Sequence, residues 1–279
     1  MEQNGASRTA IGTAVHRAAH LLLDEDPKIL VDPFARAFAG YASDAAMLHA
    51  LASTETIEFP RMRTVFTLRS RYVEDELAAA IIRGIDQYII LGAGLDSFAY
   101  RRPDLVASLD VFEVDHPASQ AWKRARVAEL GIAVPTHLHH VSIDFERQTL
   151  GQGLADSIVD FGKPVFLSLL GVTQYLTPDA TLRTLRDVAA TTAPGSELSS
   201  SSWCPPRRSQ ETRQHWSQHS PNVTEQPGSH GSVISTRRRW SVIFLLRALA
   251  GSCISAQRKR RSVTCEAAAT GCPCRPIFI

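Results

Sequence analysis

Cysteine is missing from the first 203 residues; all five cysteines (Cys204, Cys253, Cys265, Cys272 and Cys274) come after them. A disulfide framework or a thiolate-based metal site is thereby excluded from the larger part of the chain. Long apolar runs are missing too. The leucine run at 21–23 is too short for a signal-peptide core, and the run 242–246 is stopped by Arg247, far short of the roughly 20 residues that span a bilayer. The expectation is a cytoplasmic protein without a membrane partner. Acidic residues run out along the chain: residues 1–198 carry 18 Lys/Arg against 25 Asp/Glu, whereas residues 199–279 carry 12 against 3, within an overall net charge of +2. The acidic part is long enough to bury the core of one medium domain.

What is present is a glycine turn at the end of an apolar β-run. Residues 87–91 (QYIIL) open onto Gly92, Ala93 and Gly94, where the lack of Cβ atoms permits a sharp turn and close approach of a ligand to backbone. A second apolar run, 109–115 (LDVFEVD), ends in Glu113 and Asp115, the latter 21 residues beyond Gly94. In a strand-helix-strand unit an acid there accepts hydrogen bonds from ribose hydroxyls. Asp115 lies nearer the carboxyl end of the strand, where open α/β sheets bind ligands, and is preferred; Glu113 also fits an ion pair at the sheet end. Position 97 is Ser97 where the dinucleotide fingerprint has its third glycine, and 86 residues precede the strand. Both points favour a mononucleotide-like cofactor over NAD or FAD. The plain alternative is a structural βα turn that binds nothing.

Residues 61–84 carry helix formers and a terminal Gly84 stop, so a helix leads directly into the first strand. Residues 13–23 have helical spacing and fit packing, with closure of an acceptor pocket as the alternative. Residues 141–145 read as the end of a third strand, 165–169 as a fourth, and 195–198 as the start of a fifth. His137 and His139 would share one strand face, but no third ligand is evident nearby, so no metal is expected. Trp122 fits packing better than a substrate platform.

Residues 90–101 (ILGAGLDSFAYR), 111–117 (VFEVDHP) and 170–178 (LGVTQYLTP) resemble the leucine carboxyl methyltransferase family, and within it the bacterial branch of S-adenosylmethionine-dependent methyltransferases. The resemblance runs from about His16 to Glu197. It implies an α/β fold, a Rossmann-like class I methyltransferase sheet of seven strands with an N-terminal helical cap. The domain layout is then a cap at 1–84, a cofactor-binding core at 85–198 and a tail at 199–279. It further implies that Gly92 and Gly94 line the methionine part of S-adenosyl-L-methionine, Asp115 holds the ribose, and Asp144 and Phe145 bracket the adenine. A carboxylate at 144 suits an adenine amino group and Phe145 offers apolar contact, although Asp144 also fits the N-cap of a helix over 146–154. An arginine of the upstream helix is implied at the cofactor carboxylate. Arg71 matches best by spacing and Arg69 next, with a surface ion pair to Glu74 or Asp75 as the alternative for Arg71. Better-known members carry a glutamate near position 170, where this chain has Leu170.

Methyl transfer needs the acceptor held in line and water excluded. A carboxylate acceptor is already ionised and needs no base; a hydroxyl acceptor needs one. No Ser/His/Asp set stands out, and Tyr175 is the weak candidate for a direct role. The expectation is an O-methyltransferase by ancestry, acting on a small carboxylate or hydroxyl acceptor and inactive if the aberrant C-terminus leaves the fold incomplete. The alternative is a non-catalytic protein that binds a cofactor, or nucleic acid through a basic tail carrying Arg237 to Arg239 and 258–261 (RKRR). The tail fits that basic arm, a cysteine module without paired ligand spacing, or a shifted reading frame that leaves it disordered and the sheet short of its last strands. The abrupt change of composition at Leu198 favours the last.

Overall fold

A computed structural model describes residues 7–52, 58–202 and 239–244 of the chain. Four helices lead: α1 (Arg8–Leu23), α2 (Ala35–Phe38), α3 (Asp44–Ala52) and α4 (Glu58–Ile82). Strands and helices then alternate through β1 (Gln87–Leu91), α5 (Phe98–Arg101), α6 (Pro103–Val106), β2 (Asp110–Asp115), α7 (Pro117–Glu129) and β3 (Leu138–Ser142). The remainder is α8 (Leu150–Leu154), β4 (Phe166–Leu170), α9 (Pro178–Thr191), β5 (Glu197–Ser202) and β6 (Arg239–Phe244).

Helix α4 stops where Gly84 permits it. Gly84 takes φ 94°, its N–H bonds Ile81 O at 2.9 Å and Ile85 N–H bonds Ala80 O at 3.2 Å, a Schellman closure that turns the chain straight into β1. Every residue of β1 is buried, because both faces of the sheet are covered and no side of the strand meets water. Alternate residues serve the two faces. Tyr88 and Ile90 pack with Val111 and Phe166 against Val73, Leu77 and Ala80 of α4, while Ile89 and Leu91 pack with Phe112, Val114 and Leu167 against Leu150, Leu154 and Val188. A third cluster joins Ala14, Val15, Ala18 and Ala19 of α1 to Phe38, Met47 and Leu95, with Trp122 packed against it.

The strand order is β3-β2-β1-β4-β5-β6, and the pairs β3/β2, β2/β1, β1/β4 and β4/β5 are parallel. The chain leaves β1 toward β2 on one side and returns as β4 on the other, which opens a crevice at the carboxyl ends of these strands.

Two sequence expectations shift. β3 ends at Ser142, residues 145–147 form a turn, and the next helix is capped by Thr149 rather than Asp144. Thr149 wins because Gln152 three residues on completes a capping box with it. β5 runs through the break at Leu198 to Ser202, with Ser199, Ser200 and Ser201 buried opposite Ser168, Leu169 and Leu170. A parallel ladder is made by backbone groups, so serine is carried where aliphatics were expected. Residues 239–244 form a strand beside β5; Trp240, Val242, Ile243 and Phe244 are residue types that favour strands. The rest of the tail, including its cysteines and the basic run 258–261, lies outside the described residues.

Ser199 has no exposed surface and its Oγ has no partner among the described residues, whereas Ser201 Oγ accepts the Gly171 N–H at 3.1 Å. Ser199→Ala should therefore stabilise the fold by about 1 kcal/mol, and Ser201→Ala should destabilise it by about 1–3 kcal/mol. Denaturant titration of the two variants reads the opposite signs; equal effects would contradict the assignment.

Candidate functional site

The glycine turn at the carboxyl end of β1 is held by backbone. Gly92 N–H and Ala93 N–H both reach Val114 O, at 2.7 and 3.1 Å, and Gly92 and Gly94 take φ 70° and 51°. A Cβ on Gly92 would lie 2.3 Å from a Val172 methyl, so any side chain there collides with the loop after β4. Asp115, at the end of β2, meets the turn directly: its Oδ2 accepts the Gly94 N–H and its Oδ1 accepts the His116 N–H at 2.6 Å. Burial pushes the Asp115 carboxyl up, against those two N–H bonds. Glu113 is more deeply buried and bonds Lys123 Nζ at 2.6 Å, and the same ammonium donates to Asp96 O at 2.6 Å. Glu113 thus braces the loop from below.

The loop is also tied to the N-terminal helices. Arg17 of α1 donates from Nε to Asp32 Oδ2 at 2.8 Å and from Nη2 to Leu95 O at 2.6 Å. Ser97 Oγ donates to the same Asp32 oxygen at 2.6 Å, while Asp32 Oδ1 accepts Phe34 N–H and Ala35 N–H at 3.2 and 3.1 Å. Arg101 donates to Ser97 Oγ at 3.1 Å and pairs with Glu74 of α4. Ser97 occupies the position of the third fingerprint glycine, and its hydroxyl is the link in this buried chain. Nothing in periodicity or spacing signals the Arg17–Asp32–Ser97 set; only the burial of three polar side chains reveals it.

Helix α4 separates its two candidate arginines. Arg71 is exposed and pairs with Asp75 at 2.9 Å, the surface ion pair that its sequence spacing also allowed. Arg69 points inward, 4.6 Å above the Phe66 ring, with its guanidinium against Gly171 in the loop after β4. A Cβ at Gly171 would stand 2.6 Å from Arg69 Nη1. Arg69 Nε is buried without a hydrogen-bond partner among the described residues. Burial, then the Arg17 charge, push Arg69 down to about 10, opposed by Tyr175 and Asp96.

Asp144 sits in the turn after β3, its Oδ1 accepting Glu146 N–H at 3.0 Å, and Phe145 packs at the margin of the second core cluster. Tyr175 is 58% exposed on a short 3-10 turn and its hydroxyl accepts from Gln174 at 3.0 Å. Leu170 packs against the first core cluster. His137 and His139 both bond Asp110, at 3.3 and 3.0 Å. Among the described residues no group of three or more His, Cys, Asp or Glu is arranged to hold a metal ion, and no helix is long and apolar enough to cross a membrane. The arrangement at the crevice is suited to a ligand that carries a carboxylate and hydroxyls: a buried cation lies on the β4 side and a buried acid beside bare backbone on the β2 side.

The sequence profile of the family described as leucine carboxyl methyltransferase matches residues 10–189. A Bacillus subtilis protein named "Putative S-adenosyl-L-methionine-dependent methyltransferase YktD" is 40% identical over 130 residues, 47% of this chain and 42% of that one. Proteins with the same descriptive name from Mycobacterium avium and Parafrankia are 33% and 35% identical, covering 70% of this chain and 64% and 62% of theirs. The chain thus spans between about two fifths and two thirds of the length of these relatives. A Thermobifida fusca structure titled as a putative methyltransferase aligns with a TM-score of 0.43 at 19% identity, over 71% of this chain and 66% of that one.

Burial alone would push the Asp32 carboxyl up, but the Arg17 and Arg101 charges with the Ser97 and Arg17 bonds hold it below its ordinary value of 3.8. Its contribution to stability is therefore complete above that value and is lost as pH falls through the depressed one. Asp32→Ala should cost about 3–5 kcal/mol because it strands Arg17 without its partner. The variant should also flatten the acid limb of a stability-against-pH curve; an unchanged acid limb would show that Asp32 does not titrate with folding.

Proposed function

The chain belongs to the leucine carboxyl methyltransferase family, and from that premise we propose that it is an S-adenosylmethionine-dependent O-methyltransferase acting on a small carboxylate or hydroxyl acceptor. The observation that carries the proposal is Arg69, a buried guanidinium without a carboxylate partner among the described residues, in the same crevice as Gly94 and Asp115. A buried cation left uncompensated is costly unless a ligand supplies the missing anion.

Arg69 would hold the cofactor's amino-acid carboxylate through its planar fork. Gly92 and Gly94 admit the ligand to bare backbone, and Asp115, fixed by Gly94 and His116 N–H groups, keeps acceptor capacity for ribose hydroxyls. Asp144 and Phe145 would flank the adenine. Once bound, the cofactor supplies an electrophilic sulfonium methyl group. The chain's own part is to hold cofactor and acceptor in line and to keep water out. The helices of residues 1–84 fit a cap over residues 85–198, tied to the glycine loop through Arg17 and Asp32.

Calorimetric titration of the full chain should show binding of S-adenosylhomocysteine and none of NAD. Arg69→Met should weaken S-adenosylhomocysteine by about 1.5–3 kcal/mol and leave methylthioadenosine, which lacks the carboxylate, nearly unchanged. Asp115→Ala should weaken both ligands by about 1–3 kcal/mol. Arg71→Met should alter neither by more than about 0.5 kcal/mol. Tighter binding of NAD than of either sulfur compound would reject the methyltransferase reading.

A further inference from the structure

Two cavities open between the N-terminal helices and the short helices that follow the glycine turn. One, of about 420 Å³, is mostly apolar, with Phe34, Tyr100, Val106, Ile132 and Pro135 among its walls. The other, of about 510 Å³, is walled by Lys28, Arg71, Arg101 and Arg102 against the single carboxylate of Glu74. The two share Phe34, Tyr100 and Pro103, so an apolar trough runs into a basic one. The Phe34 and Tyr100 rings stand at the junction, with centroids 6.2 Å apart and planes tilted by 55°.

Neither cavity is lined by Gly92, Gly94, Asp115 or Arg69. Arg101 and Glu74, paired and almost wholly buried, close the inner wall of the basic cavity, and behind them Arg101 bonds Ser97, which bonds Asp32. The outer cations are held more loosely. Arg71 pairs at 2.9 Å with Asp75, which is 56% exposed, and Lys28, which also donates to Asp24 O, meets the 86% exposed Asp26 only at 3.9 Å. Arg102 is divided between Glu74 and the exposed Asp104. Exposed pairs contribute little to stability, so an arriving carboxylate can take over Arg71 and Lys28 at small cost.

We propose that this groove is a second ligand site, distinct from the cofactor crevice, and that its occupant is a free aliphatic carboxylate of medium chain length. The carboxylate meets Arg71 and Lys28, and the alkyl chain passes Phe34 and Tyr100 into the apolar cavity. Each half of the groove excludes a simpler ligand. A small anion would leave the walls at Val106, Ile132 and Pro135 in water, and an uncharged hydrocarbon would leave the basic end unused. A multiply charged phosphate is disfavoured, because Glu74, Asp75 and Asp104 stand at the same end and repel every negative charge beyond the first. Burial of the chain supplies most of the affinity and the Arg71 fork sets the orientation.

The test uses the full chain at about pH 7.5 with octanoate, which is ionised there, as the probe and octan-1-ol as its uncharged counterpart. Isothermal titration should show octanoate binding at one site, with affinity rising about 2–4-fold per methylene from hexanoate to decanoate. Arg71→Met should weaken octanoate about 3–10-fold and leave octan-1-ol within about twofold. Ala107 is an exposed wall residue of the apolar cavity, and Ala107→Trp should weaken acid and alcohol together by about tenfold. Both variants should melt at the temperature of the parent, which separates lost binding from lost folding. An excess of S-adenosylhomocysteine should leave octanoate bound. A parent that binds no octanoate, an affinity indifferent to chain length or to the two substitutions, or displacement by S-adenosylhomocysteine would overturn the inference. So would preferential binding of inorganic phosphate or of phosphatidylglycerol vesicles, which would give the basic end to another ligand.

Discussion

The Arg17–Asp32 pair is the joint on which the arrangement turns. Both side chains are almost wholly out of water, so each would impose a large desolvation cost if it stood alone. Together they satisfy one another, and the remaining capacity of Asp32 is filled by Ser97 and two backbone amides. The second arm of Arg17 ends on Leu95 O, inside the glycine loop. Displacing α1 would break a charge pair and a loop contact at once. A buried pair of this kind adds little net stability compared with an apolar replacement, but it penalises every alternative seating of the cap. The loop conformation is thus set by residues that lie some 80 positions apart in the sequence.

Charge in the crevice follows the same logic of compensation. Glu113 is answered by Lys123, and Glu74 by Arg101 and Arg102. Among the described residues Arg69 is the conspicuous exception, and Asp115 is hydrogen-bonded by backbone N–H groups with the Lys123 charge nearby. A cation and an acid left short of full ionic partners, at the switch point of a parallel sheet, make a pattern that a ligand with a carboxylate at one end and hydroxyls further along would complete.

Much of this architecture is legible in the residues themselves. Residues 87–91 and 110–115 read as strands because they are apolar, short and bounded by turn residues, and Gly84 reads as a helix stop because only glycine takes its φ easily. Other features depend on which way a side chain faces. Arg69 and Arg71 are two positions apart on a helix and so project to different sides; spacing to the glycine loop ranks them without saying which side is buried. Asp144 reads as a cap by residue type, whereas the helix is capped by Thr149, which Gln152 joins in a capping box. Ser97 signals the missing glycine of a dinucleotide site, yet its bond to Asp32 is a long-range contact with no local trace. The serine run of β5 carries no strand pattern, and pairing with β4 supplies what its side chains do not.

Helix α1 is held on two sides. Arg17 reaches the loop that would carry the cofactor, and its neighbour His16, one position back and about a quarter-turn round the helix, packs against Phe59 and Phe66 of α4. A ligand bound at the glycine loop would act on α1 as well, since loop and helix share the Arg17 contact. The clamp acts as one joint, because Arg17 cannot leave Leu95 without also disturbing Asp32 and Ser97. The N-terminal helices are thus fastened to the loop by a buried clamp as well as packed, through α4, against the sheet.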